Sequence, residues 1–582
     1  MRLSSSNKFF CFFILLISFF PLQAEDTVDI WKQQKEENQI LKEEIKKNND
    51  NNTNTTFSVE NSGIQESQIS ISNNFNTSED TKPIYGIYDP EENNLSLSMW
   101  SQTDGEDIKS SFKRINKINL SNSAEDLFIN TILTLSYTPS KNMTEEEFLN
   151  LKINWLIKNE KDDLLEEFLN QNKDFKDKKK IIQYLVDKSI SQADIGTGCK
   201  KSDFIGKNNK STYLAKFKIY CLIFNDRKNE AQLLYDILRE QKLSDKFFED
   251  KINYLLGISD KTTTEIKDDN LLNFYLASVT TKNFSYEPSN KTNKYIWEYL
   301  NAANLVKVED LTDKEKIKTL EEAANNNALD KSKIFEIYKK LPFELNSLIN
   351  ANSIYQSLDN IDARALIYQR YLLSDKNETK IKNLFLLKDL FKKEKLTNIY
   401  SELLSDELKK IDPDDIPDSY KQIVKKNIIS EDTNTLGRIK YNDKILHKSK
   451  VIRYYTEKNT PKQKSQKDLE NVYKKIKKNS KYFFSAKDLV LIESLESDGF
   501  KIPKEINIEE TAQKYNVPDN LLTFAKNGEV GFLILKFVEI IGEDQITDLD
   551  PETIYFMTHL LNRLKLHKFR NKILISSLPQ RT

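Results

Sequence analysis

Glycine is scarce in this chain, at 12 of 582 residues or about 2%, where soluble proteins average about 7%. Proline is also scarce, at 13 residues. Tight turns, phosphate-binding loops and the crossovers of α/β folds all consume glycine. A chain poor in both residues and rich in Lys, Glu, Leu, Ile and Asn predicts an all-α protein.

Histidine and cysteine are rarer still, with three of each. The histidines are His447, His559 and His567, and none of them forms a His-x-x-x-His pair. No Cys/His cluster has the spacing of a zinc site. The sequence therefore gives no support to metal catalysis or to Ser/His or Cys/His nucleophilic catalysis. We expect surface histidines, and no catalytic residue, metal or cofactor.

The chain also lacks an excess of either charge and lacks long apolar runs. It has 88 basic and 89 acidic residues, so its net charge is −1. A nucleic-acid-binding protein needs a basic face for phosphates, and this balance argues against one. After residue 24 no apolar run approaches the ~20 residues of a membrane-spanning helix. We predict neither a nucleic-acid partner nor an integral membrane span.

The first 24 residues carry the most specific pattern in the sequence. Arg2 and Lys8 precede Phe9 to Phe20, an apolar run in which Ser18 is the only polar residue. Such a run is too short to span a bilayer and is typical of a secretory signal peptide. We predict a signal peptide over residues 1–24, with cleavage between Ala24 and Glu25. We expect the mature protein to be periplasmic.

Export from the cytoplasm bears on whether the cysteines form a disulfide. Cys11 leaves with the signal peptide, so the mature chain keeps Cys199 and Cys221. An even pair in an exported protein favours one disulfide. Closing this 22-residue loop stabilises the folded chain by roughly 3 kcal/mol in the chain-entropy model. A redox-active pair would more often be Cys-x-x-Cys, so we favour a structural role.

Composition divides the region before the helical body into three parts. Residues 25–47 predict a short helix that could form a coiled coil, although its apolar positions are few. Residues 48–82 are rich in Asn, Ser and Thr and predict a disordered linker, because they cannot bury enough apolar surface. Residues 83–105 regain aromatic side chains and predict an extended lead-in that packs on the body.

Helical patterns follow one another from about residue 106. Thr144 and Glu147 have the spacing of a capping box at a helix start. Helices of this kind joined by short polar turns predict an α-solenoid of stacked hairpins, similar in rhythm to tetratricopeptide repeats. We expect a helical-repeat array over 106–440, a flexible Lys-rich break over 441–466, and C-terminal helical hairpins over 467–582.

Several blocks of the body resemble a group of exported, all-helical alphaproteobacterial proteins that have no assigned function. The blocks are Met99-Trp100, Cys199 to Cys221, Leu234 to Phe248, Ile411 to Pro417 and the helix pair around Gly528-Glu529. The similarity covers roughly residues 97–582 and lies in the positions of helices. It implies an all-helical fold and implies nothing about activity.

The C-terminal part contains the most apolar stretch of the mature body. Its apolar residues cover more than one face of a single helix, which predicts burial on several sides. One interpretation is that the following helices cap it. The other is that Phe532, Leu535, Phe537 and Ile540 form a docking surface for a partner or a second copy.

For function, the sequence favours a non-catalytic scaffold that binds an envelope protein or peptide. One alternative is an envelope glycan-acting enzyme, because Glu493-Ser494 matches the catalytic dipeptide of lytic transglycosylases. The segment that follows this dipeptide in those enzymes is absent. The other alternative is a structural spacer that self-associates through its N-terminal arm.

Overall fold

Helices account for almost all of the regular structure in the described part of this chain. The computed structural model describes residues 84–173, 175, 178–206, 211–306, 311–428, 439–504, 512–513 and 515–578. Within these residues the backbone forms 26 α-helices, short 3-10 turns and two isolated bridges, without a named strand. The predicted all-α class is confirmed. The predictions for the signal peptide, the helix at 25–47 and the linker at 48–82 concern residues outside the described ranges.

The chain divides into two compact units. Unit 1 contains the described residues of Ile182–Ile429, and unit 2 contains those of Asn73–Ile181 and Ser430–Thr582. Unit 2 is therefore assembled from two segments that lie far apart in the sequence. The boundary between Ile181 and Ile182 falls within one helix, α5 (Lys179–Ser191).

The helices are numbered here in chain order. Those before α5 are α1 (Gly105–Ile115), α2 (Asn122–Ile132), α3 (Glu145–Lys158) and α4 (Asp162–Gln171). The remaining helices of unit 1 are α6 (Ile195–Lys201), α7 (Thr212–Phe224), α8 (Lys228–Glu240), α9 (Lys246–Leu256), α10 (Leu271–Thr280), α11 (Lys294–Ala302), α12 (Lys314–Asn325), α13 (Lys331–Lys340), α14 (Leu345–Ile349), α15 (Ala351–Ile354), α16 (Asn360–Leu372), α17 (Asn377–Lys393), α18 (Thr397–Lys409) and α19 (Asp418–Asn427). The C-terminal segment of unit 2 contains α20 (Arg453–Thr456), α21 (Lys462–Lys477), α22 (Ala486–Ser497), α23 (Asp519–Lys526), α24 (Val530–Ile541), α25 (Pro551–Arg563) and α26 (His567–Ser577).

Side-chain caps fix where many of these helices begin. Before α3, Thr144 Oγ1 accepts a hydrogen bond from the Glu147 amide (3.1 Å), while Glu147 Oε2 accepts one from the Thr144 amide (2.8 Å). The predicted capping box is thus confirmed. Asp550 caps α25, and Pro551 occupies its first turn, where a missing N–H costs nothing.

Consecutive helices of unit 1 pack as hairpins. Helix α7 packs against α8, and α16 packs against both α17 and α13. Ile367 and Tyr371 of α16 belong to the buried core that α12 to α19 share, and Ala363 of the same helix is also buried. A fully buried ion pair between Arg364 of α16 and Glu321 of α12 crosses this core (2.6 Å). The local rhythm seen in the sequence therefore corresponds to paired helices.

Unit 2 is organised around α24 and α22. Helix α24 packs against α1 and α2 from the N-terminal segment, and α22 packs against α25. Residues just before α1 also contact α24, since Trp100 is fully buried and the Gly531 amide donates to the Met99 carbonyl (3.1 Å).

Residues 441–466 differ from the flexible break expected there. The segment forms two 3-10 turns, Leu446–Lys448 and Lys450–Ile452, before α20 and the start of α21. Val451 and Ile452 are fully buried within unit 2. Turns this short have no 3.6-residue periodicity, so the apolar residues that anchor them give no pattern in the sequence.

Candidate functional site

Cys199 and Cys221 lie at disulfide-bond distance, as the sequence predicts. Their sulfur atoms are 2.07 Å apart and their Cα atoms 5.3 Å apart. Cys199 lies on α6 and Cys221 on α7, and both are buried. Gly198 permits the close approach of α6, because a Cβ there would lie 3.1 Å from Cβ of Ser189. The pair joins two short elements of unit 1.

A polar cavity of about 560 Å³ lies beside this pair, entirely within unit 1. Its lining includes both cysteines and the charged side chains of Lys200, Asp203, Lys218, Asp194 and Arg227. Asp194 is occupied as the cap of α6, since its Oδ1 accepts from the Thr197 amide (3.0 Å). Arg227 forms two hydrogen bonds with Glu230 (2.7 and 2.6 Å). The cavity wall therefore carries positively and negatively charged side chains. It suits a ligand that has groups of both charges, such as a peptide.

Helix α8 begins at the rim of this cavity and exposes apolar side chains along one line. Its opposite side is buried through Ala231, Tyr235 and Leu238. Leu233 and Ile237 are 65% and 40% exposed and lie four residues apart, on the same face of the helix. Leucine and isoleucine at these exposures leave apolar area in water that a partner could cover. We call Leu233 and Ile237 the α8 face.

The predicted docking residues lie elsewhere and are mostly covered. Phe532, Leu535 and Phe537 are buried in unit 2, and only Ile540, at 38%, is exposed. The docking surface predicted from the apolar C-terminal stretch is therefore wrong for three of its four residues. The reason is the pairing of α24 with α1 and α2, from the other end of the chain.

The candidate glycan-cleaving dipeptide is largely buried. Ser494 is fully buried, and its hydroxyl donates to the Val490 carbonyl (2.7 Å). Glu493 accepts a hydrogen bond from the Tyr555 hydroxyl (3.2 Å) and lies 3.0 Å from Nδ1 of His559. The contacts of Glu493 are therefore with a tyrosine and a histidine, and its side chain is 11% exposed.

His447 and His567 are also placed beside carboxylates. His447 Nδ1 lies 2.8 Å from Asp488, and His567 Nδ1 lies 3.4 Å from Asp498. The expectation of ordinary surface histidines is therefore incomplete, since these rings have specific partners. In the part of the chain that the structure describes, no group of three His, Cys, Asp or Glu side chains could hold a metal ion.

Two further features had no signal in the sequence. Glu321, Tyr338 and Arg364 form a buried triad. Arg364 lies 26 residues after Tyr338 and 43 residues after Glu321, on a different helix from each. Arg364 Nε donates to the Tyr338 hydroxyl (2.9 Å), and its Nη2 donates to Glu321 (2.6 Å). Arg570, which lies among cations of the last helix, is fully buried and bonded to Asp498 (2.7 Å). Neither environment follows from local residue spacing.

Comparison with known proteins identifies no relative of this chain. No protein-family model, no curated protein and no solved structure matches this chain. Among the described residues, none of the helices is both long enough and apolar enough to cross a membrane.

Proposed function

We propose that this protein is an exported, non-catalytic helical protein that binds another protein of the cell envelope through unit 1. The observation that carries the proposal is the α8 face, formed by Leu233 and Ile237, on a helix that begins at the polar cavity. Leu345 and Ile349 of α14 have the same spacing and are exposed, but α14 does not border that cavity. Two exposed apolar residues four positions apart are the pattern with which one helix contacts another. The polar cavity at the start of α8 supplies groups that could bind the polar part of the same partner.

Binding of a partner to the α8 face would remove the apolar surface of Leu233 and Ile237 from water. Each fully buried leucine or isoleucine side chain contributes roughly 1.5–3 kcal/mol. Two such side chains are enough to act as anchors, because a few residues carry most of the energy of a typical interface. The surrounding charges of α8 would then form a polar rim.

Photo-crosslinking in the cells that produce the protein tests this proposal. A photoreactive phenylalanine analogue replaces Leu233 in one variant and Leu345 in the control. Leu345 is 70% exposed on α14 of the same unit. We expect an adduct of defined mass from position 233, lost when Ile237→Glu is added, and none from position 345. Equal adducts from both positions, or none from 233, would contradict the proposal.

The proposed location depends on the N-terminal pattern. The apolar run from Phe9 to Phe20 and the small Ala24 before Glu25 support export by a cleaved signal peptide. Mass spectrometry of the protein from the envelope fraction should find Glu25 as the first residue. An intact Met1 or an acylated Cys11 would contradict it.

The two alternative functions have separate tests. A glycan-acting enzyme would clear a peptidoglycan zymogram, and Glu493→Gln would abolish the clearing. A self-associating spacer would lose mass in light scattering when residues 25–47 are deleted. Clearing by the purified protein, or a change from oligomer to monomer, would favour the respective alternative over the α8 face.

A further inference from the structure

Positive charge is concentrated in one segment of unit 2. Residues 440–488 contain 15 basic and 5 acidic residues, a net charge of +10, whereas the whole chain has a net charge of −1. The segment runs from the residues before the Leu446–Lys448 turn through α20 and α21 to the start of α22. The near-neutral balance of the whole chain therefore includes one strongly basic region.

Helix α21 carries the centre of this charge on its exposed side. Lys467, Lys474 and Lys478 are exposed and lie seven and four residues apart, close to whole turns of a 3.6-residue helix. They therefore form one row along the helix. The opposite side packs into unit 2 through Ser465, Leu469, Val472 and Ile476. The row of ammonium groups consequently faces solvent.

Two loops extend this row at the C-terminal end of α21. Lys475 Nζ forms an ion pair with Asp443 (2.7 Å), and the Tyr482 hydroxyl accepts a hydrogen bond from the Leu446 amide (2.9 Å). These contacts place the loop around the Leu446–Lys448 turn and the loop before α22 beside the end of α21. Both loops add exposed lysines. We call the exposed lysines of this region the basic patch, which consists of Lys444, Lys448, Lys474, Lys478 and Lys481.

Acidic side chains near the basic patch do little to neutralise it. Asp443 is shared by Lys475 and Lys450 (2.7 and 3.9 Å) and is 17% exposed. Asp488 has 2% of its side chain exposed. Glu470 is exposed one turn of α21 before the patch and reduces the charge there by one. In the described part of the chain, the five lysines of the patch form no ion pair, so a partner of opposite charge can bind them.

An exposed phenylalanine adjoins the basic patch. Phe483 is 67% exposed, whereas the other phenylalanines of the described residues are buried or half-buried. Its neighbours are fixed, because the Tyr482 and Phe484 rings pack together (5.1 Å) and the Tyr482 hydroxyl donates to Asp488 (3.0 Å). The loop thus presents Phe483 to solvent two residues after Lys481.

The combination of lysines with an exposed aromatic ring indicates which kind of partner fits. Clustered lysines are attracted to membranes that contain anionic lipid, each by about a fivefold gain in binding. Phenylalanine adds to binding when it enters the boundary between lipid headgroups and acyl chains. A nucleic-acid duplex or an anionic polysaccharide would match the lysines but would leave Phe483 in water. The chemistry therefore favours the surface of a bilayer with anionic lipid.

We propose that the basic patch and Phe483 bind the surface of a bilayer that contains anionic phospholipid. The lysine ammonium groups contact headgroup phosphates, and the Phe483 ring enters the boundary between headgroups and acyl chains. This contact is peripheral and uses only residues of unit 2. It does not depend on the α8 face, which belongs to unit 1.

Flotation with phospholipid vesicles tests this binding with the mature chain, residues 25–582. Vesicles of phosphatidylcholine alone are compared with vesicles that also contain about 30% phosphatidylglycerol, at ~0.1 M and ~0.5 M NaCl. We expect the chain to bind the anionic vesicles and not the neutral ones. Binding should be at least tenfold stronger at the lower salt concentration, because salt shortens the range of the attraction between exposed charges.

Variants of exposed lysines assign the binding to the basic patch. Lys474→Gln/Lys478→Gln removes two charges of the patch and should weaken binding to the anionic vesicles at least tenfold. The matched control Lys392→Gln/Lys393→Gln removes two exposed charges from α17 of unit 1 and should bind like wild type. All four positions are exposed, and circular dichroism checks that each variant keeps the wild-type fold.

Phe483→Ala keeps every charge and tests entry of the ring into the bilayer. It should weaken binding to the anionic vesicles about tenfold, since the ring no longer leaves water. An unchanged affinity of this variant would overturn the proposal, and tight binding of a DNA duplex would then assign the patch to a soluble polyanion. Equal binding to both kinds of vesicle, or equal affinities of the two lysine variants, would also overturn it.

Discussion

At the scale of single residues, Lys152 is a buried basic side chain of unit 2. It is buried on α3 with its Nζ 4.2 Å from the centre of the Phe148 ring. Burial alone lowers the pKa of Lys152 to about 7. The unfolded chain therefore binds this proton more tightly than the folded chain does between pH 7 and about pH 10. In that range the destabilisation of the folded chain by the buried Lys152 ammonium becomes smaller as the pH rises.

Replacement of Lys152 by methionine should stabilise unit 2, because methionine fills a similar volume without a charge. The gain is expected to be on the order of a few kcal/mol at pH 7 and below, and to shrink towards zero near pH 10. Urea unfolding at several pH values measures it. A variant that is less stable than wild type at pH 6 would show that the Lys152 ammonium has a favourable role.

The cysteine pair gives a second residue-scale prediction. Cys199→Ser/Cys221→Ser should lower the free energy of unfolding of unit 1 by roughly 3 kcal/mol, since the unfolded chain loses its closed loop. The stability of unit 2 should not change, because neither cysteine belongs to it. Hydrogen exchange resolves the two units in one experiment. Loss of protection in α22 as large as that in α7 would contradict this division.

At the scale of elements, α24 depends on a glycine that faces Trp100. A Cβ at Gly531 would lie 2.7 Å from the Trp100 ring, whereas one at Gly206 would have nothing within 4 Å. Gly531→Ala should destabilise unit 2 by about 1–3 kcal/mol through overpacking. Gly206→Ala is the matched control and should stay within about 0.5 kcal/mol of wild type. Equal midpoints of urea unfolding for the two variants would refute the close contact.

Elements also show which structural features local sequence can predict. The capping box of Thr144 and Glu147 lies within four residues, so its chemistry is legible without any knowledge of the fold. The apolar residues on all sides of α24 predict that this helix is buried. The helices that bury it, α1 and α2, lie some 400 residues earlier, so the local sequence of α24 does not identify them. The histidine pairs are 41, 66 and 69 residues apart and were invisible for the same reason.

The α8 face was missed for a different reason. Ala231, Tyr235 and Leu238 have helical spacing and are buried, whereas Leu233 and Ile237 lie off that stripe and carry no sequence signal of a partner. Only the packing of α7 against one side of α8 shows which apolar residues remain outside. When a helix has apolar residues on two sides, its contacts with other helices decide which of those residues stay exposed.

At the scale of the whole molecule, unit 2 requires both of its segments, which lie far apart in the sequence. Expressed alone, residues 439–582 should fail to fold, because α24 would expose the surface that α1 and α2 cover. Co-expression with residues 84–181 should restore cooperative unfolding, followed by circular dichroism. A stable, cooperatively unfolding 439–582 fragment would show that the two segments are separate domains.

Binding of a partner to the α8 face of unit 1 is the basis of the proposed function, and one binding isotherm measures it. A peptide from the segment crosslinked at position 233 is titrated into the wild-type protein, Leu233→Glu/Ile237→Glu, and the control Leu345→Glu/Ile349→Glu. Each lost anchor removes roughly 1.5–3 kcal/mol, so the α8 variant should bind at least tenfold more weakly. The control, which alters an exposed pair of the same spacing on α14, should bind like wild type. Equal dissociation constants for all three proteins would contradict the account.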